Sequence, residues 1–130
     1  MVSKNIYSYN EECAQIDLPL STDIRIKNYI YNPNNVYLFV LAYGFQSQIE
    51  FEKSERIKNI ILGDGFFWKI TPIGNKLFIK PLEKNIRTNM TIITNKRSYY
   101  FDLISKSKDS LHDVTYLMKF SYPQKLLNNY

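Results

Sequence analysis

Histidine and cysteine are almost absent from this chain of 130 residues, which has one of each, His112 and Cys13. A lone cysteine forms no internal disulfide and builds no cysteine zinc site. A lone histidine leaves little room for a Cys/His or Ser/His/Asp catalytic arrangement. We interpret Cys13 as an incidental thiol and His112 as a solvated loop side chain. No paired acid and base stand out, so an enzyme ranks third among the functions we consider.

Long apolar runs are also missing. The longest covers residues 36–43, whereas a helix needs about 18 to 20 apolar residues to cross a bilayer. The first ten residues lack the basic flank and the apolar stretch of a secretory signal. We therefore expect a chain that does not span a membrane and whose signal peptide, if there was one, has been removed.

Aromatic side chains are abundant, with 11 Tyr and 8 Phe bringing them to 15% of the residues. The hydrophobic share of 45% and the charged share of 22% are close to those of globular proteins. Disorder and fibrous repeats are thereby excluded. The length fits one domain that buries a core of its own.

Short segments with a period of two recur along the chain, separated by turn residues. They predict strands at residues 24–31, 36–43, 48–51, 57–62, 66–71, 76–80, 89–94, 98–103 and 114–122. No segment keeps a helical period. The fold class we predict is all-β, an antiparallel β-sandwich of about eight to nine short strands. It occupies residues 24–123, between an N-terminal extension or linker at 1–23 and a C-terminal tail at 124–130.

Three of these segments give specific expectations. Residues 24–31 alternate isoleucine with long side chains such as Tyr29 and Tyr31, which predicts a half-buried strand with isoleucine on one face. Residues 36–43 are apolar on both faces, so we expect this strand to lie centrally or under a partner. In the last segment, one face carries alternate residues, namely Val114, Tyr116, Met118, Phe120 and Tyr122.

The alternation also assigns side chains to the core or to the surface. Trp68 shares a face with Phe66 and Ile70 and is expected to fill the core between the sheets. The other predicted core residues are Ile49, Phe51, Ile79 and Phe101. The candidate interface residues, which the same alternation directs outwards, are Phe67, Tyr100 and Phe78. Exposed aromatic residues beside charges suit a protein contact, although a second layer of chain could equally cover them.

Turn residues give no sign of a ligand site. Gly63-Asp64 and Gly74-Asn75 are interpreted as turns and not as a phosphate cradle, because no helix follows either pair. Asn95 and Arg97 lie between two predicted strands, where we expect them to stabilise the loop.

Basic residues are concentrated between positions 76 and 97, where only Glu83 is acidic. They are Lys76, Lys80, Lys84, Arg87, Lys96 and Arg97. Positive charge beside an aromatic residue such as Phe78 is typical of single-strand nucleic-acid binders. A small β-barrel that binds single-stranded nucleic acid is therefore the alternative function. The moderate net charge of +5 and the lack of an aromatic RNA-binding motif weigh against it.

Several short sequence blocks follow one another along the chain in a specific order. They are Tyr31-Asn32-Pro33, Tyr43-Gly44-Phe45-Gln46, Ile49-Glu50-Phe51, Leu62-Gly63-Asp64, Trp68, Gly74-Asn75-Lys76-Leu77-Phe78-Ile79-Lys80-Pro81, Thr88-Asn89-Met90 and Thr94-Asn95-Lys96-Arg97-Ser98-Tyr99. In this order and spacing they resemble the amino-terminal domain of the CagX/TrbG family, the ninth VirB component of type IV secretion systems. The resemblance covers about residues 24–103.

The resemblance implies a β-sandwich scaffold in the periplasm of a Gram-negative bacterium, associated with the outer-membrane core complex. It implies ring formation through contacts with other copies of itself and with the tenth VirB component, which is TrbI-like. It implies no enzymatic activity, and the scaffold role requires no cofactor and no small-molecule substrate. Relatives also carry a signal peptide and a second β domain that binds a small VirB lipoprotein. We expect that lipoprotein contact only if such a domain exists, and we leave open an excised domain or a naturally short paralogue.

Overall fold

A computed structural model describes residues 23–109 and 111–123, apart from the side chain of His112. Its strands are β1 (Ile26–Ile30), β2 (Val36–Ala42), β3 (Ser47–Glu50), β4 (Ile57–Leu62), β5 (Trp68–Ile73), β6 (Lys76–Pro81), β7 (Ile86–Thr94), β8 (Ser98–Lys106) and β9 (Leu117–Ser121). A turn of 3-10 helix, Leu111–Asp113, precedes β9. Cys13, most of the predicted extension and the predicted tail at 124–130 lie outside the described residues.

The strands form two sheets, which confirms the all-β sandwich. The five-stranded sheet has the order β1-β9-β3-β6-β5, and the four-stranded sheet has the order β2-β8-β7-β4. Four neighbouring pairs are antiparallel, and the remaining pairs, β1–β9, β3–β9 and β2–β8, are parallel. The sheets are thus mixed and not purely antiparallel. Alternation reports which face of a strand is buried, and it carries no information on strand direction.

Aromatic rings from both sheets meet in the centre of the core. The rings of Tyr37 and Phe120 lie 4.9 Å apart between centroids, and those of Phe51 and Tyr99 lie 4.6 Å apart. Each pair joins one sheet to the other. Aromatic pairs at such distances contribute about 0.5–1.5 kcal/mol beyond the area they bury. The high aromatic content therefore serves the core first.

The face of β1 that packs on the core is the tyrosine face, a choice that the alternation in the sequence left open. Tyr29 and Tyr31 pack against the core, while Ile30 is exposed. Parallel pairing places Tyr29 opposite Phe120, and its ring lies 5.5 Å from that of Tyr37. A tyrosine ring removes more apolar area from water than isoleucine does, which favours this orientation.

Strand β2 lies at an edge of the four-stranded sheet, which excludes the central position and leaves a covering partner as the remaining alternative. Its inner side chains, among them Tyr37 and Phe39, are buried. Its outer side chains Val36 and Leu38 are 61% and 49% exposed. The apolar character of both faces therefore reflects an outer face that no part of the described chain covers.

Two side chains do not follow the alternation that the sequence predicts. Phe66 is 86% exposed, because it precedes β5 in a turn where its N–H donates to Asp64 Oδ1. Tyr116 precedes β9 and is also exposed. Its N–H donates to the carbonyl of Arg25, and its carbonyl accepts from Gln48 N–H. The period of two begins only at Leu117, after these connections.

The predicted turns are present where glycine is needed for two different reasons. Gly74 joins β5 to β6 with a φ of +61°, a conformation that favours glycine. Gly63 does not have a positive φ, but a Cβ there would meet the side chain of Asn89. The glycine at position 63 therefore allows β4 to approach β7 closely.

Candidate interaction surfaces

The predicted core residues all lie in the core. Ile49, Phe51, Trp68, Ile79 and Phe101 are each 5% exposed or less. The indole Nε1 of Trp68 is buried without a hydrogen-bond partner among the described residues. Trp68 thus fills space between the sheets without using its polar atom.

A buried carboxylate, which the sequence did not indicate, organises one end of the sandwich. Glu55 is 0% exposed and follows β3 in a turn. Its oxygens accept hydrogen bonds from Thr94 Oγ1 at 2.7 Å, from Tyr99 Oη at 2.8 Å and from Glu52 N–H at 3.0 Å. Arg97 Nη1 lies 2.9 Å from Glu55 Oε1. Every partner is a donor, so the carboxylate is satisfied as an acceptor.

Two tyrosine hydroxyls extend this network towards the surface. Tyr99 Oη and Tyr122 Oη lie 2.9 Å apart, and Tyr122 Oη accepts from Glu52 N–H at 3.1 Å. Because Tyr99 donates to Glu55, the hydroxyl of Tyr122 must donate to Tyr99. The Arg97 guanidinium lies over the Tyr122 ring, 3.8 Å from its centroid. These contacts tie β3, β8 and β9 together.

Burial determines the titration of the groups in this network. Burial raises the pKa of Tyr99, and the hydrogen bond to Tyr122 and the charge of Glu55 act in the same direction. Burial also raises the pKa of Tyr122, against the opposing hydrogen bond with Tyr99. Burial lowers the pKa of Arg97, but the hydrogen bond to Glu52 and the charge of Glu55 outweigh it, so that the pKa is raised. The arginine therefore remains charged.

The raised tyrosine pKa values predict a loss of stability in alkali. The folded state keeps Tyr99 and Tyr122 neutral above their ordinary pKa of 10.0, whereas the unfolded chain ionises there. Stability is therefore complete below about pH 10 and falls above it by about 1.4 kcal/mol per pH unit for each tyrosine. Urea unfolding between about pH 9 and about pH 11.5 measures the slope. The variant Tyr122→Phe should have a shallower slope, and equal slopes would contradict this assignment.

The loop between β7 and β8 is held by the residues expected to stabilise it. Asn95 Oδ1 accepts from Arg56 N–H at 2.8 Å, and Asn95 N–H donates to the Arg56 carbonyl at 3.0 Å. Arg97 pairs with Glu52 at 3.0 Å as well as with Glu55. The side chains of Asn95 and Arg97 therefore both make contacts that stabilise the fold.

The outer face of the four-stranded sheet carries exposed apolar side chains among polar ones, and we call it the apolar face. Its exposed members are Val36, Leu38, Ile61 and Tyr100, and its half-buried members are Val40, Ile93 and Ile104. The strand register places Val36, Tyr100, Thr91 and Ile61 in one row across all four strands. An exposed ion pair between Arg87 and Asp102 interrupts it. Contiguous exposed apolar side chains of this kind mark interaction sites.

The outer face of the five-stranded sheet is basic, and we call it the lysine face. Lys69, Lys76, Lys80 and Lys119 lie on it with Glu50 as the acidic residue among them, and Phe78 is half-buried in its centre. None of these lysines forms an ion pair with any described residue. The two outer faces thus differ in chemistry.

The structure does not bring the three candidate interface residues together. Tyr100, 40% exposed, lies on the apolar face. Phe67, also 40% exposed, directly precedes β5, and Phe78 lies in β6 on the lysine face. The sequence assigned these residues to the surface but could not assign them to faces, because the order of the strands within the sheets was unknown.

The basic segment between positions 76 and 97 is divided among separate places. Lys76 and Lys80 belong to the lysine face, whereas Arg87 on the apolar face pairs with Asp102 at 2.9 Å. Lys96 and Arg97 lie at one end of the sandwich and pair with Glu52. These residues therefore do not form one continuous track for a nucleic-acid backbone.

Two kinds of feature are missing from the described residues. No helix there is long and apolar enough to cross a membrane. No group of histidine, cysteine, aspartate or glutamate side chains in that part of the chain is arranged to hold a metal ion.

The chain is similar in sequence to components of conjugation and secretion machines. The CagX family, described as conjugal transfer protein, matches residues 24–129. The type IV secretion system protein virB9 of Bartonella henselae is 33% identical over 109 residues, 78% of this chain and 38% of its own length. The type IV secretion system protein PtlF of Bordetella pertussis is 29% identical over 129 residues, 84% of this chain and 47% of its own.

A more distant relative is the probable conjugal transfer protein TrbG of Sinorhizobium fredii, which is 28% identical over 86 residues. The match covers 58% of this chain and 30% of that protein. The chain therefore spans less than half the length of these relatives.

Proposed function

This chain belongs to the CagX family of conjugal transfer proteins, and from that membership we propose that it is a structural subunit of a type IV secretion system. In this proposal it acts in the periplasm, within the core complex associated with the outer membrane. Its partners are other copies of itself and the tenth VirB component. It acts through protein contacts and catalyses no reaction.

The apolar face is the observation that carries this proposal. Val36 and Leu38 lie on the edge strand β2, and Tyr100 lies beside them on β8. An apolar surface of this extent is unfavourable in water, and a protein partner that covered it would remove that cost. Tyrosine is also enriched among the residues that dominate binding energy in interfaces.

The separation of the candidate residues supports a ring. Tyr100 lies on one outer face, and Phe67 and Phe78 lie on the side of the other sheet. A contact between unlike faces of successive copies is heterologous, and such contacts generate rings when the rotation closes. A closed dimer would instead join two identical patches.

The test is the assembly of variants on the apolar face. We expect the double variant Leu38→Ser, Tyr100→Ser to fold normally, because both side chains point away from the core. We expect it to lose most of its co-purification with the other secretion components from cells, since an interface would lose two anchors. The matched control is Phe66→Ser, which removes a more exposed aromatic from a turn outside this face.

Circular dichroism and the melting temperature of each purified chain report on folding. Normal folding with unchanged co-purification would show that the contact surface lies elsewhere. Loss of folding in the double variant would show that these side chains belong to a structural layer. Either outcome would contradict the assignment of the apolar face to assembly.

A further inference from the structure

The outer edge of β5 is unpaired within the described chain. β5 is the last strand of the five-stranded sheet, and β6 is its neighbour. The carbonyl of Phe67 accepts a hydrogen bond from Leu82 N–H at 2.7 Å. In an antiparallel pair the hydrogen-bonded residues alternate, so Lys69 and Thr71 also face β6. Trp68 and Ile70 therefore direct their N–H and C=O groups away from the sheet.

This edge has the features of a short docking template. No other described residue bonds to the main chain of Trp68 or Ile70. An unpaired edge can take up an extended segment as an additional strand. Pro72 follows on the same edge and has no N–H, which limits such pairing to the first half of β5.

Positive charge lies directly beside this edge. Lys69 of β5 and Lys80 of β6 are opposite each other on the lysine face, and both are exposed. Like charges directly opposite across a strand pair are destabilising. Neither lysine has an acidic partner in the described part of the chain. Phe78, the next outward residue along β6, offers an apolar surface next to the two charges.

We propose that the free edge of β5 binds an extended, acidic polypeptide segment of a partner protein as an added strand. The main chain of the segment pairs with Trp68 and Ile70. Its outward side chains are acidic at alternate positions and lie over Lys69 and Lys80. The side chains of a strand point to one face at every second residue, so an alternating acidic segment matches this surface.

A polypeptide fits this surface better than a nucleic acid does. The edge offers N–H and C=O groups at the spacing of a β-strand. A phosphate backbone can accept hydrogen bonds from the N–H groups, but it has no donor for the C=O groups. Single-strand binders also present several aromatic rings for base stacking. The lysine face has one, Phe78, and that ring is half-buried. This site is separate from the apolar face, so each of the two proposals can be tested without the other.

Binding is measured with the full 130-residue chain and a fluorescent peptide of about ten residues in which glutamate and valine alternate, long enough to span β5. We expect saturable binding that weakens at least about tenfold in the double variant Lys69→Glu, Lys80→Glu. The matched control is Arg56→Glu, Lys58→Glu, which reverses two exposed charges near the start of β4 in the other sheet. It should bind the peptide as the unaltered chain does.

A second measurement tests the strand pairing itself. Hydrogen exchange followed by NMR should show the amides of Trp68 and Ile70 slowed by the peptide. The amides of Lys69 and Thr71 already face β6 and should change little. Peptide binding that leaves Trp68 and Ile70 unprotected would overturn the proposed edge pairing.

Three further results would also overturn the proposal. One is the absence of saturable binding by the acidic peptide. Another is equal binding by the charge-reversed double variant and by its control. The third is binding of an oligothymidylate as tightly as the peptide and through the same two lysines, which would identify a nucleic-acid site. The apolar-face variant Leu38→Ser, Tyr100→Ser should bind the peptide normally, which separates this test from that of the proposed function.

Discussion

Replacing Glu55 with alanine is expected to lower the free energy of unfolding by about 3 to 5 kcal/mol, the range for breaking a buried ion pair from one side. The carboxylate is fully buried and accepts from Thr94, Tyr99 and Glu52 N–H while pairing with Arg97. Its removal leaves several buried donors without acceptors, and each such group costs about 1–3 kcal/mol. The remaining pair between Arg97 and Glu52 retains part of the network.

Urea unfolding of the variant and of the unaltered chain measures this loss. Glu50→Ala is the matched control, because Glu50 is half-buried on the outer face of β3 and forms no ion pair with a described residue. Its effect should stay within about 0.5 kcal/mol. Glu55→Gln keeps the size of the side chain and should lie between the two. A similar small effect for Glu50→Ala and Glu55→Ala would show that the network contributes little.

Trp68→Ala is expected to destabilise the chain by about 3 to 5 kcal/mol, as usual for the loss of a large buried aromatic. Trp68 is 5% exposed and belongs to the central hydrophobic cluster. Its removal would open a cavity beside Pro81, the buried residue opposite Trp68 in the neighbouring strand β6.

Trp68→Phe should cost much less than Trp68→Ala, below about 1.5 kcal/mol. The indole N–H has no partner among the described residues, and a buried donor without an acceptor is itself unfavourable. In Trp68→Phe, the removal of this unpartnered N–H offsets part of the stability that is lost with the smaller side chain. Chemical unfolding compares the two variants. A loss below about 1 kcal/mol for Trp68→Ala, or equal losses for both variants, would contradict this account of the core.

The alternation of apolar and polar residues was enough to predict the strands, because a strand with one buried face shows this alternation in its own sequence. Ile49 and Phe51 are buried while Gln48 and Glu50 are only half-buried. The same pattern does not say which face is inside when both faces carry large side chains. For β1, that choice depended on the position of Phe120, about ninety residues away along the chain.

The sequence could not predict the strand order or the buried network around Glu55, for a related reason. β2 pairs with β8, and β1 with β9, so neighbours in the sheets are distant in sequence. Glu55 lies shortly after the predicted strand at residues 48–51, yet Thr94 and Tyr99 approach it from strands that follow much later. Charged residues are rarely buried unless paired, and nothing in the local sequence reveals such pairing.

The edge position of β2 excludes one of the two alternatives that the sequence left open for this strand. A strand that is apolar on both faces was expected to be covered on both sides. The structure leaves Val36 and Leu38 exposed beside Tyr100. With the central position excluded, the apolar pattern of β2 agrees with the proposal that a partner covers its outer face.

The central claim is that the apolar face contacts another subunit in the assembled secretion machine. The most direct measurement places a photoreactive phenylalanine analogue at position 100 in cells that produce the whole system and identifies what is cross-linked on illumination. The account predicts cross-links from position 100 to a second copy of this chain or to another secretion component, and few from position 66, which lies in an exposed turn outside the apolar face. A folded, incorporated chain that gives no cross-link from position 100 would contradict it.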